Sequence, residues 1–254
     1  ALRWWQLLAL AAAIFVAAGA AGALNHLAER DLDARMSRTR LRPFVTGELA
    51  GGLHWHLAIV ALLAVAVAAA GLATNWLAAF YVFLGAFTYG VVYTMWLKRR
   101  TWLNIVVGGL AGSFAVLAGA AAIDPTPGPS AWVFAVVLFL WTPPHFWSLA
   151  IAYRDDYAAA RVPMLPVVVG DAAAARAVFV GAAMLVAASI VPAFLGLSWL
   201  YAAAAAGGGA LLLLRTAQLA LDPTRARALA SFHASLIQLS LLIVAAGIEP
   251  LLRA

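Results

Sequence analysis

The stretch Asn25-His26-Leu27-Ala28-Glu29-Arg30-Asp31-Leu32-Asp33 closes a run, Trp4 to Leu24, that carries no charged residue. Arg35, Arg38, Arg40 and Arg42 follow it before Pro43. The chain has ten acidic residues, and three of them fall within the five positions 29–33. Five of its sixteen basic residues lie in the same short segment. If the apolar run continues as a helix, Asn25, Glu29 and Asp33 recur at every fourth position and share one face. Oxygen donors stacked in this way repel one another unless a cation sits among them. Such hard ligands suit Mg²⁺, which typically bridges one or two carboxylates and a substrate phosphate. The arginines that follow are natural partners for phosphate oxygens. A solvated loop flanking a membrane accounts for the arginines alone, but it leaves the acidic row unexplained.

Working outward, 66% of the 254 residues are hydrophobic and 10% charged, with a mean hydropathy of +0.97. Soluble domains are about 45–50% apolar and about 25% charged, so this composition reads as an integral membrane protein. The net charge of +6 does not point to nucleic acid, because the basic residues gather at the ends of apolar runs. The absence of cysteine excludes disulfides, thiolate metal sites and CxxCH haem attachment. The first apolar run is too long for a signal-peptide core.

A spanning helix needs roughly 20 largely apolar residues. Eight stretches qualify: Trp4–Leu24, Leu53–Leu72, Trp76–Leu97, Trp102–Ile123, Ala131–Tyr153, Ala174–Phe194, Trp199–Leu214 and Leu229–Ile248. The seventh is short and rich in Ala and Gly, with Gly207, Gly208 and Gly209 in a row, and its ends are the least sharply defined. Pro143 and Pro144 lie inside the fifth and are expected to kink it, freeing backbone groups that must face protein or a wet cavity. Fourteen of the sixteen basic residues fall in the loops after the first, third, fifth and seventh spans, leaving Arg3 and Arg253. The positive-inside rule makes those loops cytoplasmic. The chain then begins on the outer side at Ala1, and a ninth helix ahead of Ala1 is expected. The expected organisation is all-α and integral to the membrane, a single transmembrane domain over residues 1–254.

The loop after the fifth span repeats the chemistry of the first. Thr142-Pro143-Pro144-His145-Phe146-Trp147 leads to Tyr153-Arg154-Asp155-Asp156-Tyr157 and then Val162-Pro163-Met164-Leu165-Pro166. Acids again follow a long apolar helix on the cytoplasmic side with arginine beside them. Two such motifs could each hold a metal ion and flank one diphosphate, an arrangement that favours ionisation of a carbon–oxygen bond.

The Asn25-x3-Glu29-x3-Asp33 pattern resembles the first acidic motif of the UbiA-type intramembrane prenyltransferases. Three longer stretches are similar to the protohaem IX farnesyltransferase branch of that superfamily. They are Glu29 through Pro43, Thr142 through Trp147, and Tyr153-Arg-Asp-Asp-Tyr157 with Val162-Pro-Met-Leu-Pro166. Tyr93-Thr94-x-Trp96-Leu97-Lys98-Arg99 with Asn104 resembles a further block of the branch. The resemblance covers essentially the whole chain and implies a UbiA-type helical bundle. Nine spans are implied, which agrees with a helix ahead of Ala1. Ala152 stands where many relatives place the first Asp of a DxxxD motif, so a second metal would depend on Asp155 and Asp156.

The implied reaction transfers the farnesyl group of farnesyl diphosphate to a vinyl group of haem b in a bacterial inner membrane, with the site facing the cytoplasm. Asn25, Glu29, Asp33, Asp155 and Asp156 would hold Mg²⁺ as metal ligands and catalytic residues. Arg38, Arg42, Lys98 and Arg99 would bind the diphosphate. His145, Trp147, Tyr93 and Tyr153 would contact haem or the prenyl chain, with Trp96 and Phe146 as further aromatic candidates. Haem A synthase or terminal-oxidase assembly would be the consumer of the product, and no nucleic acid is involved. Other readings are a UbiA-type enzyme acting on an aromatic or quinone precursor, a haem-binding membrane chaperone, and a secondary transporter. Transporter acids usually sit near the bilayer midplane in broken helices, whereas these lie at helix ends beside arginines.

Overall fold

The computed structural model describes residues 2–252; Arg253 and any helix ahead of Ala1 lie outside them. Among the described residues eight helices are long and apolar enough to cross a membrane. They are Trp4–Ala28, Leu53–Ala73, Trp76–Leu97, Asn104–Ile123, Pro129–Ala152, Asp171–Phe194, Trp199–Leu221 and Arg225–Glu249. At about 1.5 Å per residue, 20 or more residues match the roughly 30 Å hydrocarbon layer. In lipid each backbone amide must find its partner within its own segment, which makes helix the only open choice.

The seventh helix corrects the sequence reading: it runs unbroken for 23 residues to Leu221. Its glycines are contact points. A Cβ on Gly209 would stand 2.8 Å from Val186 Cγ1, and one on Gly208 would stand 3.1 Å from the Gln238 Cα. The helix therefore lies backbone-close against the sixth and eighth helices, the usual use of small residues in membranes. The fifth helix likewise continues through Pro143 and Pro144. Thr142 Oγ1 donates to the Leu138 carbonyl (3.0 Å) and Ser148 Oγ to the Pro144 carbonyl (2.7 Å).

The chain divides into two compact units. The first comprises residues up to Ala131 together with Asp156–Pro163, and the second comprises Trp132–Asp155 with the chain from Met164 onward. The first four spans fall in the first unit and the last four essentially in the second. The first unit packs around alanines: Ala13, Ala17 and Ala21 of the first helix meet Ala66 and Ala70 of the second, Ala78, Ala79 and Ala86 of the third, and Ala118, Ala121 and Ala122 of the fourth. The second unit packs larger groups, with Trp141, Leu185, Tyr201, Leu212 and Leu242 at its centre.

Two local features position the first motif. A short helix, Pro43–Thr46, ends at Gly47 with φ of 87°, and its Phe44 packs with Ala20, Leu27 and Ile59. That contact pins the arginine loop under the first helix. The third helix changes character at Thr88: from there to Leu97 it is a π-helix of ten residues. Such stretches are rare and concentrate at functional sites.

Candidate active site

The first helix ends at Ala28, and a four-residue helix, Arg30–Asp33, resumes after Glu29. The break leaves the register intact. Glu29 N–H donates to Asn25 O at 3.0 Å and Asp33 N–H to Glu29 O at 2.8 Å, so the three motif residues remain in one row. All three are buried, at 5%, 1% and 3% exposure for Asn25, Glu29 and Asp33.

The cations beside this row belong to the protein itself. Lys98 Nζ donates to Glu29 Oε2 at 2.5 Å, and Arg42 Nη1 to Asp33 Oδ2 at 2.7 Å. Lys98 also stands 5.5 Å from the centroid of the Tyr93 ring. Asn25 is oriented by Thr94. The single hydroxyl proton of Thr94 is donated to the Tyr89 carbonyl five residues back (2.9 Å), so its oxygen accepts from Asn25 Nδ2 (3.2 Å). The carboxamide is therefore fixed with Nδ2 toward Thr94 and Oδ1 turned away from it. The five-residue bond is native to a π-helix, which ties that irregular segment to the motif. Gly90 is part of the same fit, since a Cβ there would press on Leu24 at 3.1 Å.

Glu29 Oε1 is buried and has no hydrogen-bond partner. An orphaned carboxylate oxygen, a second carboxylate and a carboxamide oxygen in one row form a hard donor set suited to Mg²⁺, which uses one or two carboxylates and fills its shell with water and substrate phosphate. No group of three His, Cys, Asp or Glu placed for a metal occurs among the described residues.

Arg99 has a different place. It forms a two-pronged pair with Asp31 (2.8 and 2.7 Å) and donates to the Ala28 carbonyl at the end of the first helix (3.2 Å). This pair lies on the exposed side of the motif. The Arg99 guanidinium holds the Asp31 carboxyl below the usual carboxylate range, and Asp31 in turn raises Arg99. Arg38 is exposed, in the loop between Asp33 and Arg42.

The second motif is split between the units. Asp156, in the first, accepts from Ser37 Oγ of the arginine loop at 2.7 Å. Asp155, in the second, is exposed. Arg154 pairs loosely with Asp171 at 3.6 Å, and the Tyr153 ring carries the Arg225 guanidinium at 5.1 Å.

An apolar cavity of about 370 Å³ lies in the first unit. Its wall is mostly Ala and Gly: Ala17, Ala18, Ala21, Gly22, Gly85, Ala86, Ala111, Gly112 and Ala115. One end is marked by Gly22 and Tyr89, within a helical turn of Asn25, and the other by Ile14 and Tyr81. The eight-residue separation on each helix gives a depth of about 12 Å. Tyr89 stacks on Tyr93 at 5.6 Å, so an aromatic pair stands between cavity and motif.

His145 is buried in the second unit, its ring stacked between Trp141 (4.0 Å) and Phe232 (4.3 Å). Its Nδ1 meets Ser235 Oγ at 2.7 Å, in place of a carbonyl freed by the prolines. Trp147 is also buried. Trp96, a candidate for lining the site, is instead 51% exposed, as expected of an interface tryptophan. Thr94, Ser37, Tyr89 and Ser235 were not singled out from sequence. Thr94 carried a signal there, being part of the Tyr93–Arg99 block.

Comparison with known proteins places this geometry in a context. The profile of the UbiA prenyltransferase family matches residues 1–242. The chain is 55% identical over 245 residues to Protoheme IX farnesyltransferase 2 of Paramagnetospirillum magneticum, covering 96% of this chain and 85% of that protein. It is 41% identical over 248 residues to Protoheme IX farnesyltransferase of Thermus thermophilus, covering 95% of this chain and 40% of that longer one. Among solved structures, the apo structure of a UbiA homolog from Aeropyrum pernix superposes with a TM-score of 0.72 at 21% identity, covering 96% of this chain and 90% of that one. At that identity the likeness speaks for the fold.

Proposed function

The chain belongs to the UbiA prenyltransferase family, and from that premise we propose that it transfers farnesyl from farnesyl diphosphate to a vinyl carbon of haem b, giving haem O. The observation that carries this reading is the buried row of Asn25, Glu29 and Asp33, with Glu29 Oε1 unpartnered, one turn from an apolar cavity. A diphosphate head belongs at the row and an isoprenoid tail in the cavity. The haem acceptor is supported by the names of the relatives and by the His145 and Tyr153–Pro166 blocks.

Mg²⁺ held by Asn25, Glu29 and Asp33 would draw negative charge from the diphosphate, and Asp156, anchored by Ser37, is a further proposed ligand. Lys98 and Arg42 carry positive charge beside the row and stabilise the charge that grows on the departing diphosphate. Arg38 adds to that field, while Arg99 serves it indirectly by clipping Asp31 to the end of the first helix. The C1–O bond of the farnesyl group breaks with both electrons leaving on the diphosphate. The stacked Tyr89 and Tyr93 rings present π-faces to the allylic cation, and the alanine-lined cavity keeps water from capturing it. The vinyl π-electrons form the new carbon–carbon bond to C1. Water then supplies hydroxide to the resulting cation and releases a proton, leaving a hydroxyethyl carbon. In the second unit, His145, Trp147 and Tyr153 are assigned to haem. The enzyme is placed in the bacterial inner membrane with its motifs toward the cytoplasm, feeding haem A synthase or terminal-oxidase assembly.

The test is purified protein in detergent with haem b, farnesyl diphosphate and Mg²⁺, with and without EDTA, the product being read by mass spectrometry. A Mg²⁺-dependent adduct of haem with farnesyl and water, lost in Asp33→Ala, is expected. Haem binding with no adduct would refute catalysis on haem, and farnesyl transfer only to an aromatic acid would refute the acceptor.

A further inference from the structure

Ser235 of the eighth helix has one hydroxyl proton and two neighbours in reach of it. Its Oγ lies 2.7 Å from the Phe232 carbonyl and 2.7 Å from His145 Nδ1. A carbonyl oxygen only accepts, so the proton goes to Phe232. Toward His145 the serine oxygen must then act as acceptor, and Nδ1 must carry the hydrogen. In a neutral imidazole the second nitrogen is left with its lone pair. We infer that Ser235 is a positioning residue that locks His145 in the Nδ1–H tautomer, so that an unprotonated Nε2 faces the acceptor substrate.

The surroundings make this lock stiff. Both faces of the ring are covered, by Trp141 at 4.0 Å and 21° and by Phe232 at 4.3 Å and 27°. Trp141 is itself held by Ser235, whose backbone carbonyl accepts from the indole Nε1 at 2.8 Å. One residue thus fixes the imidazole through its hydroxyl and the stacking indole through its carbonyl. With both faces and Nδ1 occupied, and the Phe146 ring set edge-to-face at 4.9 Å, Nε2 is the nitrogen of His145 left with a lone pair for a ligand. An Nε2 lone pair with Nδ1–H committed to an acceptor is the form in which histidine binds haem iron. The inference rests on the reading that His145 contacts haem, and it specifies how that contact is prepared.

Protein labelled with ¹⁵N-histidine, its His145 signals assigned by loss in His145→Gln, reads the tautomer directly. The expected spectrum has a protonated Nδ1 and an unprotonated Nε2. Ser235→Ala is expected to turn one tautomer into a mixture, while Ser235→Thr, which keeps the hydroxyl, restores it. In parallel, ferric haem is titrated and its absorption and EPR spectra recorded. Wild type and Ser235→Thr are expected to share one spectrum, which Ser235→Ala and His145→Gln both shift. A protonated Nε2 in the wild type, or an unchanged tautomer in Ser235→Ala, overturns the inference. If the tautomer behaves as expected but His145→Gln leaves the haem spectrum untouched, the positioning by Ser235 stands. The haem-contact reading is then what fails.

Discussion

Lys98→Met separates the two roles of the cations at the first motif. In the wild type, Lys98 Nζ is 2.5 Å from Glu29 Oε2. The glutamate side chain is 1% exposed and the lysine 12%, so solvent screens the pair little. The other glutamate oxygen has no hydrogen-bond partner, so removing the lysine takes away the one cation hydrogen-bonded to this carboxylate. Breaking one side of such a pair costs about 3–5 kcal/mol, because a buried charge is left alone. For a chain of this size that is a fall in melting temperature on the order of 10 °C. The companion Glu29→Gln/Lys98→Met removes both charges and is expected to recover most of the loss while remaining inactive. Melting is followed in detergent by the fluorescence of the ten tryptophans, without substrate or Mg²⁺. A Lys98→Met protein as stable as wild type would refute the claim that this pair is a buried element of the unliganded site. A double variant no better than the single one would refute the claim that the cost lies in an uncompensated carboxylate.

Three other outcomes are expected. Tyr81→Ala, which opens the end of the cavity away from the motif, should raise the geranylgeranyl-to-farnesyl ratio of kcat/KM about tenfold or more, since one methylene in an apolar pocket is worth roughly 1–3 kcal/mol; an unchanged ratio would place the tail elsewhere. Gln238 is fully buried with neither amide atom bonded, so Gln238→Met should raise stability by about 1–3 kcal/mol in thermal denaturation, and a loss would disclose an amide partner. The Asp31–Arg99 pair depresses the Asp31 carboxyl. A depressed acid stabilises above its unfolded value of about 3.9 and loses that contribution as pH falls through the lower folded value. Asp31→Asn should therefore flatten the acid limb of the stability–pH curve, modestly because the pair is exposed; an unaltered limb would mean the pair contributes nothing.

The spans were legible because the bilayer imposes a length and an apolar composition that any window of sequence exposes. The row of Asn25, Glu29 and Asp33 was legible because helical periodicity is local. Its partners were not. Asn25–Thr94 and Glu29–Lys98 are both 69 residues apart, and nothing short of the packed fold brings those positions together. The seventh helix is longer than its apolar stretch because Arg215, Thr216 and Gln218 end the apolar window while the helix continues to Leu221; its Gly208 and Gly209 are where the neighbouring helices come closest. Hydropathy cannot tell a glycine that breaks a helix from one that lets another helix approach. Trp96 is ambiguous in sequence because aromatic residues serve cations and membrane interfaces equally well.

The equal spacing of the two long-range bonds has a structural meaning. Positions 25 and 29 on the first helix match 94 and 98 on the third, so the two helices run parallel here, one turn of each facing one turn of the other. The matched segment of the third helix is the π-helix. Its wider turn commits the Thr94 hydroxyl to a carbonyl five residues back and so leaves the oxygen free to accept from Asn25. In an ordinary α-helix a threonine hydroxyl bonds the carbonyl three or four residues back. The irregular segment therefore changes which carbonyl takes the proton without disturbing the logic that orients the ligand. Ser235 applies the same logic to His145 in the other unit, with a regular helix and a carbonyl three residues back. In both places one hydroxyl, its proton already spent on the backbone, decides which atom of a neighbouring side chain is left for a ligand.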